Sequence, residues 1–439
     1  MHNYIFDPET NGVLLKQEEI NPLCGDIMKL GSLFDGSGGF PLGGIIAGMT
    51  PVWSSEIEPF PIRVTEKRLP SVKHYGDVSK LNGADLEPVD VITFGSPCQD
   101  MSVAGKRAGL DGARSGLFFQ AVRIIKEMRA KYQKPRFIVW ENVRGALSSA
   151  GGDDFRRVLE EICNVKSDVS VPKPEKWNGS GLIMGDGYSI AWRVLDAQYW
   201  GVPQRRKRIY LVADFDGDSA GKILFESEGV SGHSEKMQSA WQDFARTAQN
   251  GAGETGGVLN DQGGMLVLFD NHRKDARYTG PCDASPTINS YLGTGGLNAP
   301  VYSMSKSYHF AHATPDQADA LVATDYKCPP IVNADWRVRM ITPLECARLQ
   351  GFPDWWTDGL TDSEPSDAEV RKWQGIFDEW CDINGKKHKS PAQVRKWLQT
   401  EHPDSVKYKL WGNGVALPCV VFVLCGIVAI TENEKNITK

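Results

Sequence analysis

From Met28 to Phe215 the chain alternates apolar runs of strand length with stretches of helical character, and this pattern constrains the fold more than any other feature. The runs are Lys29–Phe34, Val52–Ile57, Val89–Phe94, Phe137–Trp140, Ile190–Leu195 and Ile209–Val212. Apolar runs of this length suit strands buried on both faces, and such strands are joined in parallel by crossover helices. Between two of them, Arg114–Arg129 sets Leu117, Ala121, Ile124, Ile125 and Met128 at helical spacing, with Ser115 in position to cap. The expected fold class is α/β with a mostly parallel sheet.

Beyond that region the texture changes. Asp216 to Asp335 is rich in Gly, Ser, Asn and Thr, with short β-like pieces and no long helical pattern, which marks a second domain or a large insertion. A weak repeat is visible there, with Val267–Val301 and Val301–Val332 as its two copies. Pro343–Gly351 then reads as helix, and Asp367–Ile383 puts Val370, Trp373, Ile376, Phe377 and Trp380 on one face. Ser390-Pro391 opens a further helix with a cap and a first-turn proline. The apolar run Val415 to Ile430 contains Pro418 and falls short of the ~20 residues a membrane span needs, so a buried C-terminal helix is expected and no membrane is implied.

A length of 439 residues suggests about two domains. Lys and Arg total 49 against 55 Asp and Glu, a net charge of −6, so any nucleic-acid site must be local rather than a bulk-charge effect. Nine cysteines, odd in number and without a CxxC pair, indicate neither a disulfide framework nor a zinc site. That usage, and an N-terminus without a basic start or apolar stretch, lead to the expectation of a reducing, cytoplasmic location.

Four motifs carry chemistry. Ser32-Leu-Phe-Asp-Gly-Ser-Gly-Gly-Phe40 is a glycine-rich turn between strand and helix, where open α/β sheets bind nucleotides. It is neither GxGxxG nor a P-loop. Glu56, about 20 residues on, stands where ribose hydroxyls are held, and Asp77, after a further strand candidate, could meet an adenine amine. Gly95-Ser-Pro-Cys98-Gln99 ends another strand and leads into a glycine-rich loop, so Cys98 is either a reactive thiol or an inert buried one. Trp140-Glu141-Asn142-Val143 places an acid at a strand end, where desolvation could keep it protonated, or where it simply caps. In Gln204-Arg205-Arg206-Lys207-Arg208, extended geometry puts Arg206 and Arg208 on one face, either to hold a base carbonyl and phosphates or as a solvated face.

Together, in this order, these motifs resemble the cytosine-C5 DNA methyltransferase family of bacterial or bacteriophage type. Arg339-Met-Ile-Thr-Pro-Leu-Glu-Cys-Ala-Arg-Leu-Gln-Gly-Phe-Pro353 is similar to the family's ninth block, and Gly412-Asn413-Gly414-Val415-Ala416 to its tenth, with Gly414 where Ser is more usual. The resemblance implies a Rossmann-like S-adenosylmethionine-dependent methyltransferase sheet with a second, smaller, irregular β-rich target-recognition domain. On this reading 1–214 is the catalytic domain, completed by 407–439. The target-recognition region is 215–335, and 336–406 holds the remainder of the small domain with a helical insertion.

The resemblance also implies roles. Cys98 is the nucleophile that adds to C6 of cytosine, Glu141 donates at N3, and Arg206 and Arg208 hold the base oxygen and the backbone. S-adenosyl-L-methionine, with no metal, is the methyl donor. Phe34, Asp35, Gly36, Gly38, Gly39, Glu56, Ile57, Asp77, Val78, Asn413 and Val415 surround it. The partner is double-stranded DNA with the target base flipped out, touched by Gln99 and Ser102, and by Arg273 and Lys274 from the variable region. A monomer with a possible cognate restriction endonuclease is implied. The region 215–335 holds 15 acidic against 8 basic residues, an unexpected balance for a DNA reader. An RNA cytosine methyltransferase and a non-catalytic DNA-binding regulator are the competing readings.

Overall fold

In the computed structural model the described residues are 5–7, 12–14, 27–96, 116–225, 268–271, 278–282, 288 and 341–437. Strands β1 (Lys29–Leu33), β2 (Thr50–Ser55), β3 (Lys73–Tyr75), β4 (Val91–Phe94) and β5 (Phe137–Val143) are parallel, in the spatial order β3-β2-β1-β4-β5. Every residue of β4 is buried, which is why its sequence shows no polar alternation. Strands β6 (Ser180–Gly185), β7 (Tyr188–Asp196) and β8 (Lys207–Asp214) extend the sheet in the order β5-β8-β7-β6, and each is antiparallel to its neighbours.

The sheet is thus parallel in four of its seven pairings. The antiparallel end has a simple cause. Only Asp186 and Gly187 separate β6 from β7, and a connection that short cannot make the crossover a parallel pair requires. Strand β6 escapes sequence reading because it is a glycine-bounded edge strand with Leu182 and Met184 facing solvent.

Helices α1 (Gly39–Ile46), α2 (Pro59–Arg68), α3 (Gly116–Tyr132), α4 (Asp153–Cys163) and α5 (Ala220–Phe225) accompany the sheet. On one face, Phe118 and Ile125 of α3 and Phe155 and Leu159 of α4 pack on Ile92, Phe94, Ile138, Trp140 and Leu211. Helix α3 is the one expected from its periodicity, whereas its candidate cap Ser115 lies outside the described residues.

The remaining helices are α6 (Pro343–Gln350), α7 (Asp367–Asn384), α8 (Pro391–Gln399), α9 (Asp404–Asn413) and α10 (Leu417–Ile437). Val420 and Leu424 of α10 cover Leu30, Val91, Val139 and Val212 on the other sheet face. Asp404–Asn436 is long and apolar enough to cross a membrane, yet 78% of its most apolar stretch is buried inside the fold, in agreement with a core helix. Helices α2, α6 and α9 share a further core around Trp356 and Trp411, which also takes in Ile288. Of the expected β-like pieces, Leu268–Asn271 pairs antiparallel with Tyr278–Cys282. The repeat over 267–332 otherwise lies outside the described residues.

Helices α7 and α8 form a small unit with its own core of Val370, Trp373, Phe377, Val394 and Leu398, closed against Ile62 of α2. Both begin on serine caps, Ser366 and Ser390, the latter in a reciprocal capping box with Gln393. Ion pairs Arg63–Glu369 (2.8 Å) and Lys372–Glu66 (2.7 Å) attach the unit to α2. Trp373 is fully buried at its centre, and such a Trp→Ala truncation costs about 3–5 kcal/mol. Trp373→Ala is therefore expected to expose 361–406 to limited proteolysis first, with the sheet domain still resistant. Simultaneous digestion of both would show that the unit is not separable.

Candidate active site

The parallel strands end on one edge of the sheet, and there the glycine-rich turn leaves β1. Phe34 takes a left-handed φ of 58°, a conformation that a bulky residue adopts only when its surroundings impose it. Gly36 and Gly38 follow with φ of 54° and 78°, where glycine carries no penalty. A Cβ on Gly39 would lie 2.4 Å from Val415 Cγ2, so the missing side chain lets the turn close on the segment after α9. Trp356 Nε1 donates to the Ser37 carbonyl (2.8 Å) and fixes the turn from the far side.

Glu56, at the end of β2, organises this turn. Its Oε2 accepts from Gly36 N (2.8 Å), and its Oε1 accepts from Ile57 N (2.8 Å) and Glu58 N (2.9 Å). Burial pushes the Glu56 carboxyl up, against the pull of these N–H groups. Asp77 turns its carboxylate to Ser79, accepting from the backbone N–H (2.8 Å) and the hydroxyl (2.7 Å). Ile57 is half-buried beside Glu56, whereas Val78 packs inside the main core with Leu33 and Trp53. Asn413 is exposed at the rim of the turn.

Asp35 is buried, with Oδ1 accepting from the Ser32 hydroxyl (2.8 Å) and Oδ2 without a partner. Burial raises its carboxyl from 3.8 to about 7. The native state therefore favours the neutral acid, while the unfolded chain ionises from about 3.8, so stability is lost as pH rises toward 7. Between pH 5 and pH 8 this amounts to roughly 3 kcal/mol. Urea unfolding at these two pH values is expected to show a loss smaller by about that amount in Asp35→Asn than in the wild-type protein, the remainder belonging to the other buried acids, Glu56 and Glu141. An equal loss in both would remove Asp35 as its source.

At the next strand ends, Glu141 on β5 lies opposite Tyr210 on β8. Glu141 is 8% exposed, and Arg208 Nε stands 3.3 Å from its Oε1. Burial raises its carboxyl, and the charges of Arg208 and Arg206 only partly oppose this. A Cβ on Gly95 would sit 3.3 Å from Glu141 Oε2, so glycine at the end of β4 leaves room for the acid. Cys98, Gln99 and Ser102, like Arg273 and Lys274, lie outside the described residues.

Arg206 departs from expectation. It is 2% exposed and donates to the carbonyls of Ile288 (3.1 Å), Gly412 (3.2 Å) and Gly414 (2.5 Å). Burial lowers it to about 9. Its guanidinium is thus engaged within the protein, bracing the start of β8 against the segment after α9, and is not presented to a base or phosphate. Gln204 acts alike, donating to the Leu349 carbonyl (2.8 Å). A charge run in sequence cannot distinguish such a brace from a ligand contact, because both need extended geometry and cationic side chains. Within the quoted motifs Ser37 and Gly95 carried no role of their own, and Trp356 lay outside them; their contacts with Trp356, Glu141 and Ser37 form only in the folded protein.

Asp35 Oδ2 and Ser37 Oγ, buried and without hydrogen-bond partners, belong to the turn at the strand ends, the place where open α/β sheets bind their ligands. A family model described as C-5 cytosine-specific DNA methylase matches residues 28–171 and 183–368. The chain belongs to the C-5 cytosine-specific DNA methylase family. Among the relatives of this chain, a protein of Escherichia phage P1 named DNA N-6-adenine-methyltransferase is 31% identical over 380 residues, covering 70% of this chain and 50% of that one. Type II methyltransferase M.NgoBV of Neisseria gonorrhoeae is 32% identical over 160 residues, covering 36% of this chain and 33% of its own. M1.ScrFI of Lactococcus lactis is 27% identical over 342 residues, covering 76% and 72%. The chain thus spans a third to a half of the length of the first curated relatives it matches. In fold it is similar to the Dnmt2 methyltransferase of S. pombe, with a TM-score of 0.50, 16% identity and coverage of 93% and 99%.

Proposed function

We propose that this chain transfers a methyl group from S-adenosyl-L-methionine to C5 of a flipped cytosine in a specific duplex DNA sequence. The observation that carries the reading is Glu141, nearly buried, biased toward its neutral form and beside Arg208, at the strand end next to Gly95, a glycine that precedes Cys98 by three residues in sequence. A neutral carboxyl there can donate to N3, and Arg208 can hold the adjacent oxygen.

Carbon 5 of cytosine is a poor nucleophile until a thiolate adds at C6. In the proposed path the Cys98 sulfur bonds to C6, Glu141 supplies a proton at N3, and C5 gains nucleophilic character. When bound, the methyl donor would supply an electrophilic CH3 to C5, its S–CH3 bond breaking to leave S-adenosylhomocysteine as the neutral thioether. A base then removes the C5 proton, the S–C6 bond breaks to release the Cys98 thiolate, the C5=C6 double bond returns, and the N3 proton passes back to Glu141. The base must leave the duplex for this, at a cost of roughly a few kcal/mol.

The unpartnered Asp35 Oδ2 and Ser37 Oγ fit a cofactor with polar groups. Phe34, Asp35, Gly36, Gly38, Gly39, Glu56, Ile57, Asp77, Asn413 and Val415 are assigned to hold it. Because Val78 sits within the core, it supports this wall from behind. Gln99, Ser102, Arg273 and Lys274 are assigned to DNA, 215–335 to target recognition, and 1–214 with 407–439 to catalysis. The chain is assigned as a monomer in the cytoplasm, within a restriction-modification or phage setting that can include a cognate endonuclease.

The test is methylation of duplex DNA with labelled donor followed by nucleoside analysis. Label in 5-methylcytosine is expected. Label in N6-methyladenine would favour the activity named for the phage P1 relative, which requires neither a thiolate addition nor a proton at cytosine N3. Label in tRNA and not in DNA would favour the RNA reading.

A further inference from the structure

Beside the Glu141–Arg208 pair, a groove of about 510 Å³ opens at the same edge of the sheet, lined in part by Arg144, Arg193, Asp196, Tyr199 and Lys207. The strand register puts it there. Arg208 lies opposite Val143 on β5 and Leu195 on β7, Lys207 lies opposite Asp196, and Arg144 directly follows Val143. With strands ~4.8 Å apart, the groove stands about one to two strands from the acid that the proposed chemistry uses.

Three cations from three separate segments face one carboxylate. Arg144 is exposed and makes no hydrogen bond or ion pair among the described residues. The Lys207 side chain is 54% exposed, and its Nζ stands 3.8 Å from Asp196 Oδ2, too far for a direct hydrogen bond. Arg193 is fixed in the wall, where its Nη1 donates to the Leu224 carbonyl (2.7 Å). Asp196 is largely spent within the protein, accepting from Gln198 Nε2 at 2.7 Å. Like charges converging on a groove repel one another, so this arrangement suits an anion that enters it.

Tyr199 adds a flat apolar surface at the rim. It is 79% exposed, the most exposed large hydrophobic side chain among the described residues. It does not hang on a loose loop. The next residue, Trp200, donates its N–H to the Ala197 carbonyl (2.9 Å) and packs on Phe422 of α10 with ring centroids 4.1 Å apart. A held aromatic ring beside free cations matches a phosphodiester chain, which alternates an anionic group with an apolar sugar face.

We infer that this groove holds the backbone of the duplex flanking the flipped base, with Arg144 and Lys207 on phosphates and Tyr199 against a sugar. The assignment rests on the duplex-DNA reading above. It gives a chain of net charge −6, whose 215–335 region is itself acidic, a local source of phosphate contacts.

The experiment is fluorescence anisotropy of a labelled mixed-sequence duplex over a series of KCl concentrations. Arg144→Ala and Lys207→Ala are each expected to lower the slope of log affinity against log salt by about 1, and to weaken binding roughly tenfold near 0.1 M salt. Tyr199→Ala is expected to weaken binding by one constant factor at every salt concentration, with the slope unchanged. Lys126→Ala, which removes a cation paired with Glu161 on the helical layer, is expected to leave the slope as it is. An unchanged slope in either groove variant, with thermal unfolding as in wild type, would overturn the inference, as would an equal drop in Lys126→Ala. A drop seen with tRNA and not with the duplex would also overturn it, assigning the groove to RNA. Failure of the wild-type protein to bind any duplex would instead remove the DNA reading itself.

Discussion

Cys98→Ala protein is expected to bind duplex DNA as tightly as wild type and to transfer no measurable methyl group. Removal of an essential nucleophile typically lowers turnover on the order of 10⁶-fold, because the remaining groups have no intermediate to stabilise. Binding survives because Cys98 contributes a bond only after the base is in place, while DNA affinity comes largely from phosphate contacts elsewhere. Labelled-donor turnover and a DNA-retention assay on the same preparation check both halves. Turnover within about tenfold of wild type would exclude a covalent route through this thiol.

Glu141→Gln is expected to lower turnover about 10²–10⁴-fold, with donor binding unchanged. Its amide can still fill the space that Gly95 leaves and donate a hydrogen bond, but it cannot release a proton. The pH dependence separates this from a structural defect. Burial holds the acid up, so its neutral, active form is lost as pH rises through that raised value, and the alkaline limb of the rate profile belongs to it. In Glu141→Gln that limb is expected to vanish. Persistence of the limb would assign it to another group. A change in thermal stability large enough to account for the lost rate would make Glu141 a packing residue.

The sheet was legible where strands are buried on both faces. Val91–Phe94 and Phe137–Val143 show as apolar runs because no residue in them needed to be polar for solvent's sake. Edge strand Ser180–Gly185 was not, since its exposed and half-buried residues leave no such signal. Strand direction was also hidden at β8, where chain connection and not composition decides. In the site, Glu56 and Glu141 fall at strand ends, so position within the fold pointed to them before any contact was known. Arg206 and Ser37 were beyond reach of sequence for the opposite reason. What they do is set by Gly412, Gly414 and Trp356, residues far along the chain that meet them only in the folded protein. The same holds for Trp373, whose helical face was readable while its closure on Ile62 was not.

The proposed chemistry turns on a transient bond between one sulfur and a pyrimidine ring. Duplex DNA carrying 5-fluorocytosine at the target base blocks the final step, since fluorine cannot leave as the C5 proton does, and the enzyme stays joined to its substrate. With S-adenosyl-L-methionine present, the wild-type protein is expected to form an adduct stable to denaturation, with the modification mapped by mass spectrometry to Cys98. Methylation of the unsubstituted duplex without any such adduct, or an adduct that persists in Cys98→Ala, would contradict the account.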